Sequence, residues 1–185
     1  MDVIGEVRNC VKTECEKPSS RYGMGPFYDH FEFVVKYAKD LAKKKNADEE
    51  IVTIAAWLHD IGSIMYGREN HHETGCEIAE KLLLELNYPK SKIERVKLCI
   101  FNHRGSNNFE RKSIEEQIVA EADVMSNFDN LAGIFKAAYV YEKLSQSEAK
   151  KSICEKLTRK WKQLHFEESK KTIKPKYEAA MLLLK

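Results

Sequence analysis

The chain has 185 residues, the size of one domain or of one domain with a helical extension. Its 31 lysines and arginines nearly balance 29 aspartates and glutamates, and they are spread along the chain, so we expect no nucleic-acid polymer as a partner. No apolar stretch approaches the roughly 20 residues of a membrane span, and the first residues do not resemble a secretory signal. We therefore expect a cytoplasmic protein, with five cysteines present as free thiols.

Apolar residues recur at intervals of three and four along most of the chain, which is typical of amphipathic helices. No stretch alternates with a period of two over a useful length, so the sequence predicts an all-α fold, a compact helical bundle without a significant sheet. The predicted helices lie near residues 2–16, 28–45, 47–61, 71–87, 90–103, 113–129, 131–144, 147–168 and 176–184.

Three predicted helix starts carry a capping-box pattern, in which a side-chain oxygen and a glutamate three residues later satisfy free backbone amides. These pairs are Asn46 with Glu49, Ser91 with Glu94, and Ser113 with Glu116. Glycine and proline mark the expected breaks, among them Gly62 and Gly105. We also interpret the lysine-rich stretch from Lys170 to Lys176 as a loop.

The most informative segment is Leu58-His59-Asp60-Ile61-Gly62, at the polar end of an apolar helix. It places an imidazole next to a carboxylate at a helix end, where both can face one cavity. A solvated helix end would give the same pair, so the neighbouring residues decide the interpretation.

Two other residues favour a metal site. His30 begins the preceding helix, and antiparallel packing could bring it beside His59. Asp123 lies within an apolar helical pattern, where a carboxylate without compensation would be costly to bury. Two imidazoles and two carboxylates suit a divalent ion such as manganese, iron, cobalt, nickel, magnesium or zinc, and the sequence does not choose among them.

The order His30, then His59-Asp60, then Asp123 resembles the HD superfamily of metal-dependent phosphohydrolases. The resemblance implies an all-helical bundle in which these four residues are the metal ligands. It also implies three parts of the chain: an N-terminal helix and loop at 1–25, the HD domain at 26–140, and a helical extension at 141–185 packed on the same domain.

Two further histidines strengthen the resemblance. His71 precedes Gly75 by four residues, and His103 lies in a segment similar to the later Ile-x-x-His-Arg segment of HD proteins. By that alignment His71 and His103 bind a second metal or contact the substrate phosphate. His72 and His165 are interpreted as a structural residue and a surface residue.

The resemblance implies hydrolysis of a phosphate ester or anhydride, with a nucleotide or another small phosphorylated metabolite as the substrate. Asp60 is the expected orienting group for the attacking water. Arg104 is a candidate clamp for phosphate, since guanidinium holds its oxygens bidentately. Arg68 is another candidate, with an exposed loop charge as the alternative. We expect loops 62–70 and 104–112 to line the pocket.

Two alternatives remain open from the sequence. The same order of histidines and aspartates also resembles the di-iron oxygenases of the HD superfamily. A nucleotide-binding regulatory module with little turnover would keep the fold, although binding alone does not require four metal ligands. The sequence does not indicate the oligomeric state.

Overall fold

The computed structural model describes residues 2–104 and 110–184, and within these ranges it contains helices and no β-strand. The all-α prediction is confirmed. No helix in the described ranges has both the length and the apolar character needed to cross a bilayer. All five cysteines are free thiols, as predicted. The predicted break at Gly105, and much of the predicted loop 104–112, lie outside the described residues.

The helices of the described residues are α1 (Val3–Glu16), α2 (Glu32–Lys45), α3 (Glu49–Leu58), α4 (Ile61–Tyr66), α5 (His71–Glu85), α6 (Lys90–Asn102), α7 (Ile114–Ser126), α8 (Leu131–Lys136), α9 (Gln146–Lys162) and α10 (Glu167–Leu184). A π-helical turn, Phe27–Phe31, leads into α2, and another, Ala137–Tyr141, follows α8.

The chain divides into two compact units, between Asp123 and Val124. In the first unit, α3 is buried on every side from Ile51 to Leu58, which is typical of a helix at the centre of a core. Helices α1, α2 and α6 pack around it. In the second unit, α8 and α10 both contact α9. The division falls earlier than the predicted domain end at residue 140, and the packing of 141–185 on the same domain stays a prediction.

Helix starts agree with the predicted capping boxes at one of three places. The box of Ser113 and Glu116 is present, with the Glu116 amide 3.2 Å from the serine hydroxyl. The box at Asn46 is wrong, because Asn46 instead ends α2 in the left-handed conformation, at a φ of 54°, and Asp48 caps α3. The box at Ser91 is also wrong, because α6 begins one residue earlier, at Lys90.

The predicted loop from Lys170 to Lys176 is wrong as well, because this stretch lies inside α10. Because a proline in a helix interior removes a backbone hydrogen bond, Pro175 predicts a break in the helix here. The face of α10 formed by Ser169, Ile173, Ala180 and Leu184 is nevertheless buried. Burial of a continuous face outweighs the local preference of one proline.

Helix α4 occupies part of the segment that was predicted as the loop 62–70, and it approaches α5 very closely. A Cβ atom added to Gly62 would lie 2.6 Å from the His71 carbonyl oxygen and 2.9 Å from the Gly75 amide nitrogen. Gly62 is therefore required for this close packing of α4 against α5, which holds Asp60 near His71.

We expect Gly62→Ala to destabilise the first unit by about 1–3 kcal/mol, because the added methyl group meets backbone atoms that cannot rotate away. Thermal denaturation in the presence of EDTA measures this effect apart from metal binding. Gly25→Ala is the matched control, since its new Cβ would have no neighbour closer than 4.0 Å. Equal melting temperatures for the two variants would contradict the prediction.

Candidate metal centre

The first unit brings six predicted site residues together, mostly at helix ends. His30 lies in the π-helical turn before α2, and His59 and Asp60 form the junction between α3 and α4. His71 begins α5, His103 directly follows α6, and Asp123 lies within α7. Six residues that span more than 90 positions of the sequence thus meet in one place.

Aromatic side chains pack against His30 and His59. The Phe31 ring lies 5.7 Å from the His30 ring and 5.4 Å from the His59 ring, centroid to centroid. Phe27 and Phe31 both stack on Trp57 of α3. π-Helical turns are rare and occur frequently at functional sites. The sequence pattern did not distinguish this turn from the regular helix predicted over 28–45.

One group of ligand atoms forms around His30 and His59. Their Nε2 atoms lie 3.0 Å apart. The Asp60 Oδ2 atom lies 3.6 Å from His30 Nε2 and 3.7 Å from His59 Nε2. The Asp123 Oδ1 atom lies 3.6 Å and 4.0 Å from the same two nitrogens. Two nitrogens and two oxygens therefore surround one point.

A second group forms on the other oxygen of the same aspartate. The Asp60 Oδ1 atom lies 3.2 Å from His71 Nε2 and 3.6 Å from His103 Nε2. The two histidine nitrogens are 3.3 Å apart. Asp60 is thus shared between both groups: His30, His59 and Asp60 have the spacing of one candidate metal site, and Asp60, His71 and His103 have that of another. Asp123 lies beside the first of these.

Backbone carbonyls determine the tautomers of three of these histidines. The Nδ1 atoms of His59, His71 and His103 lie 2.8, 2.8 and 2.5 Å from the carbonyl oxygens of Ala56, Arg68 and Ile100, each three residues earlier. A carbonyl oxygen only accepts, so each Nδ1 must carry the hydrogen. In the neutral rings Nε2 is then an acceptor, as in metal-binding histidines whose other nitrogen donates to a carbonyl.

This protonation pattern tests whether a metal fits. In their neutral forms His71 and His103 point two acceptor nitrogens at each other across 3.3 Å, so the pair needs a cation, either a metal ion or a proton, between or beside them. Adjacent ligands of an octahedral ion with bonds of about 2.1 Å are about 3.0 Å apart, and opposite ligands about 4.2 Å. The distances of 3.0 to 4.0 Å around His30 and His59 fall in this range. The residues therefore fit a divalent metal.

Burial and neighbouring charges shift the pKa values of the proposed ligand side chains. Burial lowers the pKa of His59 to about 4, against the effect of Asp60, so this imidazole is neutral near neutral pH. Burial acts to raise the pKa of Asp60, but the surrounding imidazoles, His59 first and then His103 and His30, hold that pKa well below its ordinary value. Burial acts to lower the pKa of His103, but the hydrogen bond with Asp60 raises it. Metal binding requires neutral imidazoles and an ionised carboxylate, so His103 must release any proton on its Nε2 atom when a metal binds.

The centre is open on one side. The His59 side chain is fully buried, whereas that of Asp60 is 29% exposed and that of Asp123 is 14% exposed. Catalytic metal sites differ from structural ones in leaving a position that water or substrate can reach. The exposed edge of the two carboxylates provides such an approach.

The other predicted residues lie around this centre or away from it. The Arg104 guanidinium donates to the Glu69 carbonyl oxygen at 3.1 Å, in the loop that leads to His71. Arg68 is exposed in that loop, and His165 is exposed in the second unit. His72 is buried against Phe101, with ring centroids 5.1 Å apart, and belongs to neither group of ligand atoms.

Comparison with known proteins agrees with this geometry. Residues 27–127, more than half of the chain, match the model of the HD domain family. The chain belongs to the HD domain family. The matched segment contains all six residues of the centre.

Solved structures share this HD fold. An HD-superfamily hydrolase from Bacillus thuringiensis is 20% identical, with a TM-score of 0.73 over 98% of this chain and 92% of that one. YpgQ from Bacillus subtilis, solved in complex with ADP, is 21% identical, with a TM-score of 0.66 over 95% of this chain and 92% of that one. At these identities the likeness concerns the fold alone.

A curated relative shares only part of its length with this HD protein. The tRNA (cytidine(56)-2'-O)-methyltransferase of Thermoplasma volcanium is 27% identical over 148 residues, which cover 72% of this chain and 41% of that protein. The chain therefore spans less than half of the relative's length.

We expect Mn²⁺ to stabilise the protein and Asp60→Asn to remove most of this effect, because one carboxylate charge serves both groups. Metal at 100 times its Kd stabilises by about 2.7 kcal/mol, or about 5–10 °C for a chain of this size. Thermal denaturation with Mn²⁺ or EDTA measures the shift. Asp40→Asn, at an exposed position of α2, is the matched control and should keep the wild-type shift. The same shift in Asp60→Asn would count against the centre.

Proposed function

We propose that the chain is a metal-dependent phosphohydrolase acting on a phosphate ester or anhydride. His30, His59, Asp60 and Asp123 are the proposed metal ligands, and His71 and His103 bind a second metal or the substrate phosphate. The observation that supports this most strongly is the division of the Asp60 carboxylate, with Oδ2 at one group of histidines and Oδ1 at the other. Such a carboxylate can hold two cations side by side or orient a water next to one.

A bound divalent ion would supply Lewis acidity, polarising a phosphoryl oxygen and lowering the pKa of a bound water. Residues of the chain position the attacking water and the metal-binding atoms. Asp60, ionised and partly exposed, accepts a hydrogen bond from the attacking water and orients it toward the phosphorus. His59, buried and donating to the Ala56 carbonyl, keeps its Nε2 directed at the centre. Its rigid orientation limits the reorganisation that the reaction requires.

Two arginines adjoining the segments that carry His71 and His103 favour an anionic substrate. Arg104 is anchored through one donor to the Glu69 carbonyl, and a guanidinium has four further N–H groups with which to hold phosphate oxygens. Arg68, in the same loop, is an exposed second candidate. We propose a nucleotide as the substrate. The complex of YpgQ with ADP supports this, since that protein has the same fold.

A di-iron oxygenase is the second candidate, because two adjacent groups that share a carboxylate would also hold two iron ions. Metal content distinguishes the candidates. The oxygenase requires tightly bound iron and consumes oxygen with its substrate, whereas the hydrolase releases phosphate or pyrophosphate without oxygen.

The decisive experiment is metal analysis of the purified protein together with a hydrolysis screen. The screen covers nucleoside mono-, di- and triphosphates, cyclic nucleotides and an aryl phosphate, each with Mn²⁺, Mg²⁺, Co²⁺ or EDTA. We expect metal-dependent release of phosphate or pyrophosphate from at least one class. Asp60→Ala should lower kcat/KM at least about 1000-fold, or about 4 kcal/mol of transition-state stabilisation.

His165→Ala is the control for His71→Ala and His103→Ala, because it removes an exposed histidine outside the centre. We expect full activity from the control and large losses from the other two variants. Iron with oxygen consumption and no hydrolysis would support the oxygenase instead. Hydrolysis that persists in EDTA and in Asp60→Ala would contradict both candidates.

A further inference from the structure

The C-terminal end of α6 is held by Arg111, which follows the last residue of the helix by nine positions. The last carbonyl groups of a helix have no partner within the helix and need one outside it. The Arg111 Nε atom donates to the Asn102 carbonyl oxygen at 2.9 Å, and its Nη2 atom lies 3.5 Å from the His103 carbonyl oxygen. One guanidinium therefore covers two successive carbonyls at this helix end.

The location of Arg111 is also electrostatically favourable. A cation at the C-terminus of a helix interacts with the negative end of the helix dipole. Burial lowers the pKa of Arg111, and Glu121, Glu116 and Asp123 offset this effect only in part. Because arginine stays charged at neutral pH all the same, the half-buried guanidinium is a cation beside acidic groups of α7.

Side chains attach the same helix end to α7. The Asn102 amide donates to Glu116 Oε2 at 2.6 Å, and Glu116 Oε1 accepts from the Ser113 amide at 3.0 Å. Asn102 and Glu116 are both buried. The capping box of α7 is therefore also the anchor for the last residue of α6.

The position of His103 depends on this helix end. His103 directly follows Asn102 in the chain. Its Nδ1 atom is 2.5 Å from the carbonyl oxygen of Ile100, in the last turn of α6. Its Nε2 atom reaches both His71 and Asp60. If the last turn of α6 unwinds, the backbone of His103 and the Ile100 carbonyl that orients its ring both move.

We propose that Arg111 is the positioning residue for His103, and that it sets the metal affinity of the group formed by Asp60, His71 and His103. It acts through the backbone of α6, at the carbonyl oxygens of Asn102 and His103. This inference rests on the second metal site of the proposed function, and it adds a residue that the sequence motif did not indicate.

The test is a calorimetric titration of Mn²⁺ into metal-free full-length protein. His71→Ala identifies which binding event belongs to the second group. In Arg111→Ala we expect that event to weaken about 10- to 100-fold, the usual effect of removing a supporting partner of a metal ligand, with the other event unchanged. Arg111→Lys, which offers one donor of similar reach, should recover part of the affinity and covers the case in which the alanine variant does not fold.

Arg95→Ala is the matched control. Arg95 also connects α6 to α7, through Glu115 at 3.0 Å, but it lies away from the helix end that carries His103. We expect this variant to bind Mn²⁺ like the wild type. Wild-type binding at both events in Arg111→Ala, or equal weakening in Arg95→Ala, would overturn the inference.

The measurement separates this inference from the proposed function. Because it reads metal binding, it holds whether or not a hydrolysed substrate is found. A wild-type protein with no second binding event would overturn the second metal site and the role of Arg111 together. A wild-type protein with two events that Arg111→Ala leaves intact would overturn the role of Arg111 alone.

Discussion

The first unit is organised around one ionised carboxylate placed among imidazole nitrogens. Asp60 directs one oxygen at His30 and His59 and the other at His71 and His103. A mostly buried carboxylate is costly unless cations or donors surround it, and a divalent ion held by the four neighbouring imidazoles would meet that requirement. The helices that carry these histidines must therefore end within a few ångströms of one another.

Close packing of small residues makes this convergence possible. Gly62 and Gly75 let α4 and α5 approach until backbone atoms are nearly in contact, and a Cβ on Gly75 would lie 3.2 Å from Ile100 of α6. Each of His59, His71 and His103 then uses the carbonyl three residues earlier to orient its ring. The rings are thus oriented by local backbone and placed by tertiary packing.

The HD family shares this scaffold at low sequence identity. A structure 20% identical to this chain has a TM-score of 0.73 to it. A buried helix such as α3 tolerates many apolar sequences, because its packing needs volume and pattern rather than particular residues. The chemistry depends instead on a few polar side chains at helix ends. Fold similarity therefore leaves the substrate open, and the residues on the open side of the centre must decide it.

The sequence by itself determined the helical class, because helix periodicity is a local pattern, and its resemblance to the HD superfamily predicted the six residues that the structure brings together. Local signals failed where tertiary packing competes with them, as at Pro175, which lies inside α10, and at Asn46, which ends α2 instead of capping α3. Only the tertiary structure decided that Asp60 serves both groups of histidines and that Arg111 holds the end of α6. These contacts join residues distant in the chain, and several use backbone atoms, which every residue possesses and no sequence pattern marks.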